Sequence, residues 1–247
     1  MTVLAIAGRE LRSLFLSPLA WTLLAVVSAI LGYMFSAQVD FFLQIQPRLP
    51  GMPNAPGATE IIVAPLLGNA AIVLLLIMPL LTMRLVSDEL RNQTLSLLFS
   101  APLTMSDIVF GKYVGMLGFI AILTLLIALM PLSLLAGGRL DMGMVASGLL
   151  GLFLMLAAFS AVGLFMSTLT AQPTIAAVST FGALLLLWII DWSGQGAGVL
   201  SYLSMLRHYE ALLRGIFNST DVIYYLLVIA GFIVLSIRRL DSYRLQH

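Results

Sequence analysis

The chain offers few side chains capable of chemistry. It has two histidines, His208 and His247, and no cysteine. A Ser–His hydrolase needs both groups in one pocket, and a zinc centre needs three or four convergent ligands. A histidine at 208 and another at the last position supply neither pattern. The absence of cysteine excludes disulfides, thiolate metal sites and Cys nucleophiles together. "GKYVG", from position 111, has the Gly-Lys of a phosphate loop but lacks the earlier Gly and the following Ser or Thr. "GQGAG" at 194–198 is a Gly-rich run without a strand and helix around it, and reads as a flexible turn. The sequence therefore predicts no catalytic, cofactor-binding or metal-ligating residue on this chain.

Polar chemistry concentrates in "RLVSDELRNQTLSLLFSAPLTMSDIVFGKYVG", positions 84–115. Residues 84–99 have helical composition, with Asp88, Glu89 and Arg91 among leucines. Pro102 disfavours helix at Ala101 and stops the run. Thr104 with Asp107 three residues on forms a capping-box pair, and that second helix continues through Gly111-Lys112. The expectation is helix, tight turn, helix. Leu95, Leu97, Leu98 and Phe99 are too apolar for a solvated loop and ask for a partner surface. A helix lying on anionic lipid would be rich in Lys and Arg. Here Arg84 and Arg91 face Asp88 and Glu89 in number, which favours a protein partner.

The elements that hold this stretch are apolar. The chain of 247 residues is 61% hydrophobic and 9% charged, with mean hydropathy +1.08. Soluble domains carry about a quarter charged residues, so the composition is that of a polytopic membrane protein. A net charge of +1 without a basic stripe argues against a nucleic-acid binder. Apolar runs long enough to span a bilayer cover 19–39, 61–83, 113–136, 142–169, 174–190 and 222–237. With both termini in the cytoplasm, Arg9, Arg12, Arg84, Arg91, Lys112, Arg238, Arg239 and Arg244 lie inside. Arg48, Arg139, Arg207 and Arg214 then lie outside, which is the positive-inside bias. The polar stretch becomes the main cytoplasmic loop.

Before the first span, Val3, Leu4, Ala7, Leu11, Leu14 and Phe15 share one side of a helix, with Arg9 and Arg12 opposite. Ser17-Pro18 breaks it. This reads as an interfacial elbow helix over 1–18. The start is no signal peptide, because its charges follow the first apolar residues and no small-residue cleavage site closes a short apolar core. The segment 192–219 is too polar to span and too apolar for free coil, and is expected to lie in or re-enter the outer leaflet. Gly111, Gly115 and Gly118 fall on one helix side, where small residues permit close helix packing. Pro65, Pro79 and Pro131 fall within the apolar runs, and Trp21, Trp188 and Trp192 near their ends.

"DELRNQTLSLLFSAPLTMSDIVFGKYVG" resembles the coupling loop of ABC-2 type transporter permeases: acidic start, polar turn, Leu-Leu, Pro, capped helix, Gly-Lys. "LRHYEALLRGIFNSTDVIYYLLVIAGFIVLSIRRLDSYR" resembles the end of the gliding-motility-associated and nitrous-oxide-reductase-maturation branch, through His208, Gly215, Asp221, Tyr224 and Tyr225. The resemblance covers nearly the whole chain. It departs where the family often reads Gly-Thr-Leu-Glu and this chain has Gln93-Thr94-Leu95-Ser96.

What the resemblance implies is an all-α, single-domain permease at 1–247, a multi-pass protein of the bacterial inner membrane with six transmembrane helices. Its coupling loop at 84–112 would dock on a separate ATP-binding cassette ATPase, in two copies, which carries the ATP and Mg. The residues implied in that contact are Asp88, Glu89, Arg91, Thr94, Leu95, Leu98, Phe99, Pro102 and Thr104. It also implies a second permease chain, identical or related, and a membrane-anchored auxiliary subunit with an extracytoplasmic domain. The chain would be a non-enzymatic exporter subunit coupling ATP hydrolysis to translocation or force transmission. "EALLRG" at 210–215 mimics an importer loop, but the topology puts it outside. The alternative is an ion-coupled secondary transporter. That class needs ionisable groups at membrane depth, and the interiors of the six apolar runs have none.

Overall fold

The computed structural model describes residues 2–51, 56–94, 104–137, 140–190 and 203–244. Among these residues the chain is all-α. The first helix, α1 (Thr2–Leu16), ends where Ser17 turns extended, with φ −80° and ψ 134°. Pro18 then starts α2 (Pro18–Ile45), with Ser17 as its N-cap. The helix break read at Ser17-Pro18 is therefore present.

A π-helical turn at Thr59–Val63 leads into α3 (Ala64–Thr82). A short α4 (Ser87–Arg91) follows. Next comes α5 (Met105–Ser133), opened by a complete capping box. Thr104 N donates to Asp107 Oδ2 at 3.1 Å, and Asp107 N donates to Thr104 Oγ1 at 3.1 Å. The chain continues through α6 (Met142–Leu169), α7 (Pro173–Ile189), α8 (Met205–Leu213) and α9 (Ser219–Arg244).

Five of these helical segments are long and apolar enough to cross a membrane: Pro18–Arg48, Thr59–Arg91, Met105–Ala136, Met142–Leu169 and Ser219–Arg244. The chain is a multi-pass membrane protein by helix length and hydropathy. The run at 174–190 appears as α7, an apolar helix of 17 residues, shorter than the other five.

The centre of the bundle is α6. In its most apolar window 67% of residues are buried, against 22% for α2 and for α9, which lie at the periphery. The core is a packed aliphatic cluster built on Leu66, Ala70, Leu74, Phe119, Leu152, Phe159 and Leu184, all essentially inaccessible. Small residues set the helix spacing. A Cβ added at Gly163 of α6 would overlap the Thr82 side chain of α3, so these helices meet at backbone distance.

The structure changes two readings. The run from Arg84 is not one continuous helix: after a turn at 83–86, Ser87–Arg91 is the α-helical part of the described residues 84–94, and 92–94 turn again. The cause is Gln93, whose φ of +54° is left-handed and stops the helix. Helices also extend beyond the apolar runs, which brings Asp40 into α2 and Asp221 into α9, while α5 runs through Lys112 as read.

Candidate functional site

One end of the bundle carries α1, α4 and the start of α5. α1 runs beside α5 in the same direction. The closest approaches are Ile6 to Gly111, Ala7 and Glu10 to Gly115, and Leu11 to Gly118. A Cβ at Gly111 would come within 2.6 Å of the Ile6 side chain, and one at Gly115 within 2.9 Å of the Ala7 carbonyl oxygen. The glycine stripe read in the sequence is thus the bed of the elbow helix. Phe15 completes the contact against Phe119, with ring centroids 5.7 Å apart. Leu4, expected on the apolar face, is exposed instead.

Within this contact sits a buried cation. Lys112 is 2% exposed, and its Nζ donates to Glu10 Oε1 at 2.9 Å and to Glu89 Oε1 at 2.7 Å. Arg9 reaches the same Glu10 oxygen at 3.5 Å from an exposed position. A desolvated ammonium is costly unless countercharged, and two carboxylates from different elements satisfy that need. The result is one ionic knot joining the elbow helix, α4 and α5.

The neighbouring Tyr113 donates from its hydroxyl to the Ala157 carbonyl of α6 at 3.1 Å. Leu85, Val86, Met105, Ile108 and Val109 pack with Leu164 and Leu240 beside it. Movement of α4 would therefore be felt by α1, α5 and α6 through contacts already in place.

Of the residues implied in ATPase contact, the structure places five. Asp88 and Glu89 lie in the first turn of α4, and Arg91 is exposed at its end. Thr94 folds back, its backbone N–H donating to the Glu89 carbonyl at 3.1 Å. Thr104 caps α5. Leu95, Leu98, Phe99 and Pro102 lie outside the described residues.

Sequence reasoning missed Glu10 and the role of Lys112. The signal was present: Glu10 interrupts the apolar side formed by Val3, Ala7, Leu11 and Leu14, and a carboxylate there requires a cation opposite.

The opposite end carries a second polar cluster. His208 Nδ1 and Asp221 Oδ1 lie 2.6 Å apart, both buried. Tyr224 stacks on His208 with centroids 4.1 Å apart. Tyr225 donates to the Met205 carbonyl at 2.8 Å, and Tyr209 donates to the Leu67 carbonyl at 2.9 Å. Burial pushes the Tyr209 phenol above its ordinary pKa. Gly215, at φ +76°, lets the chain turn between α8 and α9 against Met144.

The residues singled out in the tail thus converge and pin α8 into the bundle. Of the segment read as re-entrant, residues 203–219 are described and Trp192 is not. Among the described residues no group of three or more His, Cys, Asp or Glu could hold a metal ion. No protein-family model matches the chain, and no curated protein matches it significantly.

Proposed function

We propose that the chain is the permease subunit of an ABC-2 type exporter, driven by a separate ATPase that binds ATP and Mg. The observation that carries this reading is the ionic knot of Lys112 with Glu10 and Glu89. It gives the short polar helix α4 a rigid connection to the elbow helix and to the start of a long apolar helix. A mechanical link of that kind is what a subunit without chemistry of its own requires in order to receive force from outside.

In this reading α7 is the sixth span, since 17 residues stand at the lower end of the spanning range of about 17–25. Six spans place both termini on one side, and the Lys and Arg distribution makes that side cytoplasmic. α4 and the following residues to 103 then form the surface offered to the ATPase. Leu95, Leu98 and Phe99 supply its apolar anchors, and the exposed Arg91 its rim. A second permease chain and a membrane-anchored auxiliary subunit complete the assembly.

The test is capture of the ATPase in detergent. Leu98→Ala with Phe99→Ala should lose capture, while Arg91→Ala should lose less, because apolar anchors outweigh rim charges. Undiminished capture by the double variant would remove the loop as docking site. Orientation is tested separately with single Cys probes at Asn54 and Ser242. An impermeant reagent should label position 54 in intact cells and position 242 only after lysis.

The alternative, an ion-coupled transporter, is favoured by one observation, the buried His208–Asp221 pair. Loss of vesicle transport on collapsing the ion gradient at constant ATP would select it.

A further inference from the structure

A pocket of about 770 Å³ opens between α1, the start of α2, the end of α3, α4 and α5. Its lining combines Leu14, Leu19, Leu80 and Leu81 with charged groups: the knot of Lys112, Glu10 and Glu89 with Arg9, and the separate Arg84 and Asp88. Part of that charge is not used by the fold itself. Glu89 Oε1 is taken by Lys112, but Glu89 Oε2 is buried and has no hydrogen-bond partner among the described residues. Arg84 and Asp88 likewise make no ion pair or side-chain hydrogen bond among the described residues. A buried carboxylate oxygen without a donor is an uncompensated cost, so the pocket favours an occupant that brings an N–H donor to it.

We propose that this pocket binds a phospholipid whose headgroup carries a primary amine. The ammonium meets Glu89 Oε2 and Asp88, the phosphate meets Arg84, and an acyl chain follows Leu14, Leu19, Leu80 and Leu81. Three features select this ligand class. The charged lining is balanced, with Arg9, Arg84 and Lys112 against Glu10, Asp88 and Glu89, which fits a zwitterion and offers an anionic headgroup no excess of cations. A quaternary ammonium has no N–H and leaves Glu89 Oε2 unsatisfied. The leucine wall continues into the candidate span Thr59–Arg91, where Leu80 is 43% exposed, so the apolar side opens toward bilayer rather than water. The proposal requires only that the chain lies in a bilayer, and does not depend on the transporter reading.

The experiment uses the full chain in nanodiscs of phosphatidylcholine containing either phosphatidylethanolamine or phosphatidylglycerol. Native mass spectrometry then counts the lipid retained after release. Phosphatidylethanolamine should be retained about tenfold over phosphatidylcholine, the worth of one charge-assisted hydrogen bond. Asp88→Asn should reduce that preference, and Arg84→Ala should lower retention of all three lipids. Neither side chain holds the fold together, so both variants should unfold as the parent does. A photoactivatable phosphatidylethanolamine should label peptides from α1 and α4. Equal retention of the ethanolamine and choline lipids, preferential retention of phosphatidylglycerol, or retention unchanged in both variants would each overturn the proposal.

Discussion

Lys112 and Glu10 are 102 positions apart in the chain, yet the Nζ of one lies 2.9 Å from the Oε1 of the other. With Glu89 on the same ammonium, the three charges form a unit whose parts depend on each other. Lys112→Met should leave Glu89 without a countercharge and Glu10 with only the exposed Arg9. The cost should be on the order of 2 kcal/mol, below that of a fully buried pair because both carboxylates keep some water. Neutralising all three, as Lys112→Met with Glu10→Gln and Glu89→Gln, should recover most of it. Thermal unfolding in detergent checks this, and identical midpoints for the single and triple variants would show that the groups are not coupled.

The glycine bed under the elbow helix should respond in a graded way. At Gly115 an added methyl meets the Ala7 backbone, which cannot swing aside. At Gly118 it meets only the end of the Leu11 side chain at 3.3 Å. Gly115→Ala should therefore cost about 1–3 kcal/mol and Gly118→Ala much less. Comparison of unfolding midpoints decides, and equal effects would mean that α1 does not lie where described.

Gln93 occupies a backbone conformation that glycine adopts freely and other L-residues adopt at a cost of about 1–2 kcal/mol. Gln93→Gly should strengthen the end of α4, while Gln93→Val should fray it. Amide hydrogen exchange across 88–94 is the measurement. Slower exchange in the valine variant than in the parent would contradict the left-handed turn.

Asp221 holds His208 at one oxygen while its second oxygen has no partner among the described residues. Asp221→Ala should strip the buried imidazole of an acceptor and cost about 2 kcal/mol, whereas Asp221→Asn keeps one and should cost less. The loss should be local. Exchange of α8 amides should accelerate while α1 and the first half of α5 keep their protection.

Much of this architecture is legible from side-chain periodicity. The elbow break at Ser17, the capping box at Thr104 and the exact limits of the helix at Met142–Leu169 follow from local rules. Local rules fail at Gln93, because its neighbours have helical composition and only the backbone turn ends the helix. They also fail for the pairings. Glu10 with Lys112, and Tyr209 with the Leu67 carbonyl, are decided by which helices become neighbours, and no single segment encodes that. The tail residues His208 and Asp221 were marked by resemblance, but their contact depends on the turn at Gly215.

α8 enters the bundle late in synthesis and yet fills its interior. Tyr209 hydrogen-bonds to Leu67, 142 positions earlier, and Leu212 lies against Gly151 of α6. Until residues 205–213 have left the ribosome, the Leu67 carbonyl and Gly151 lack the side chains of Tyr209 and Leu212 that close over them. A nascent chain halted before that point would present an unfilled notch to the insertion machinery and to membrane proteases. The last fifth of the polypeptide thus closes a core that the helices before it leave open.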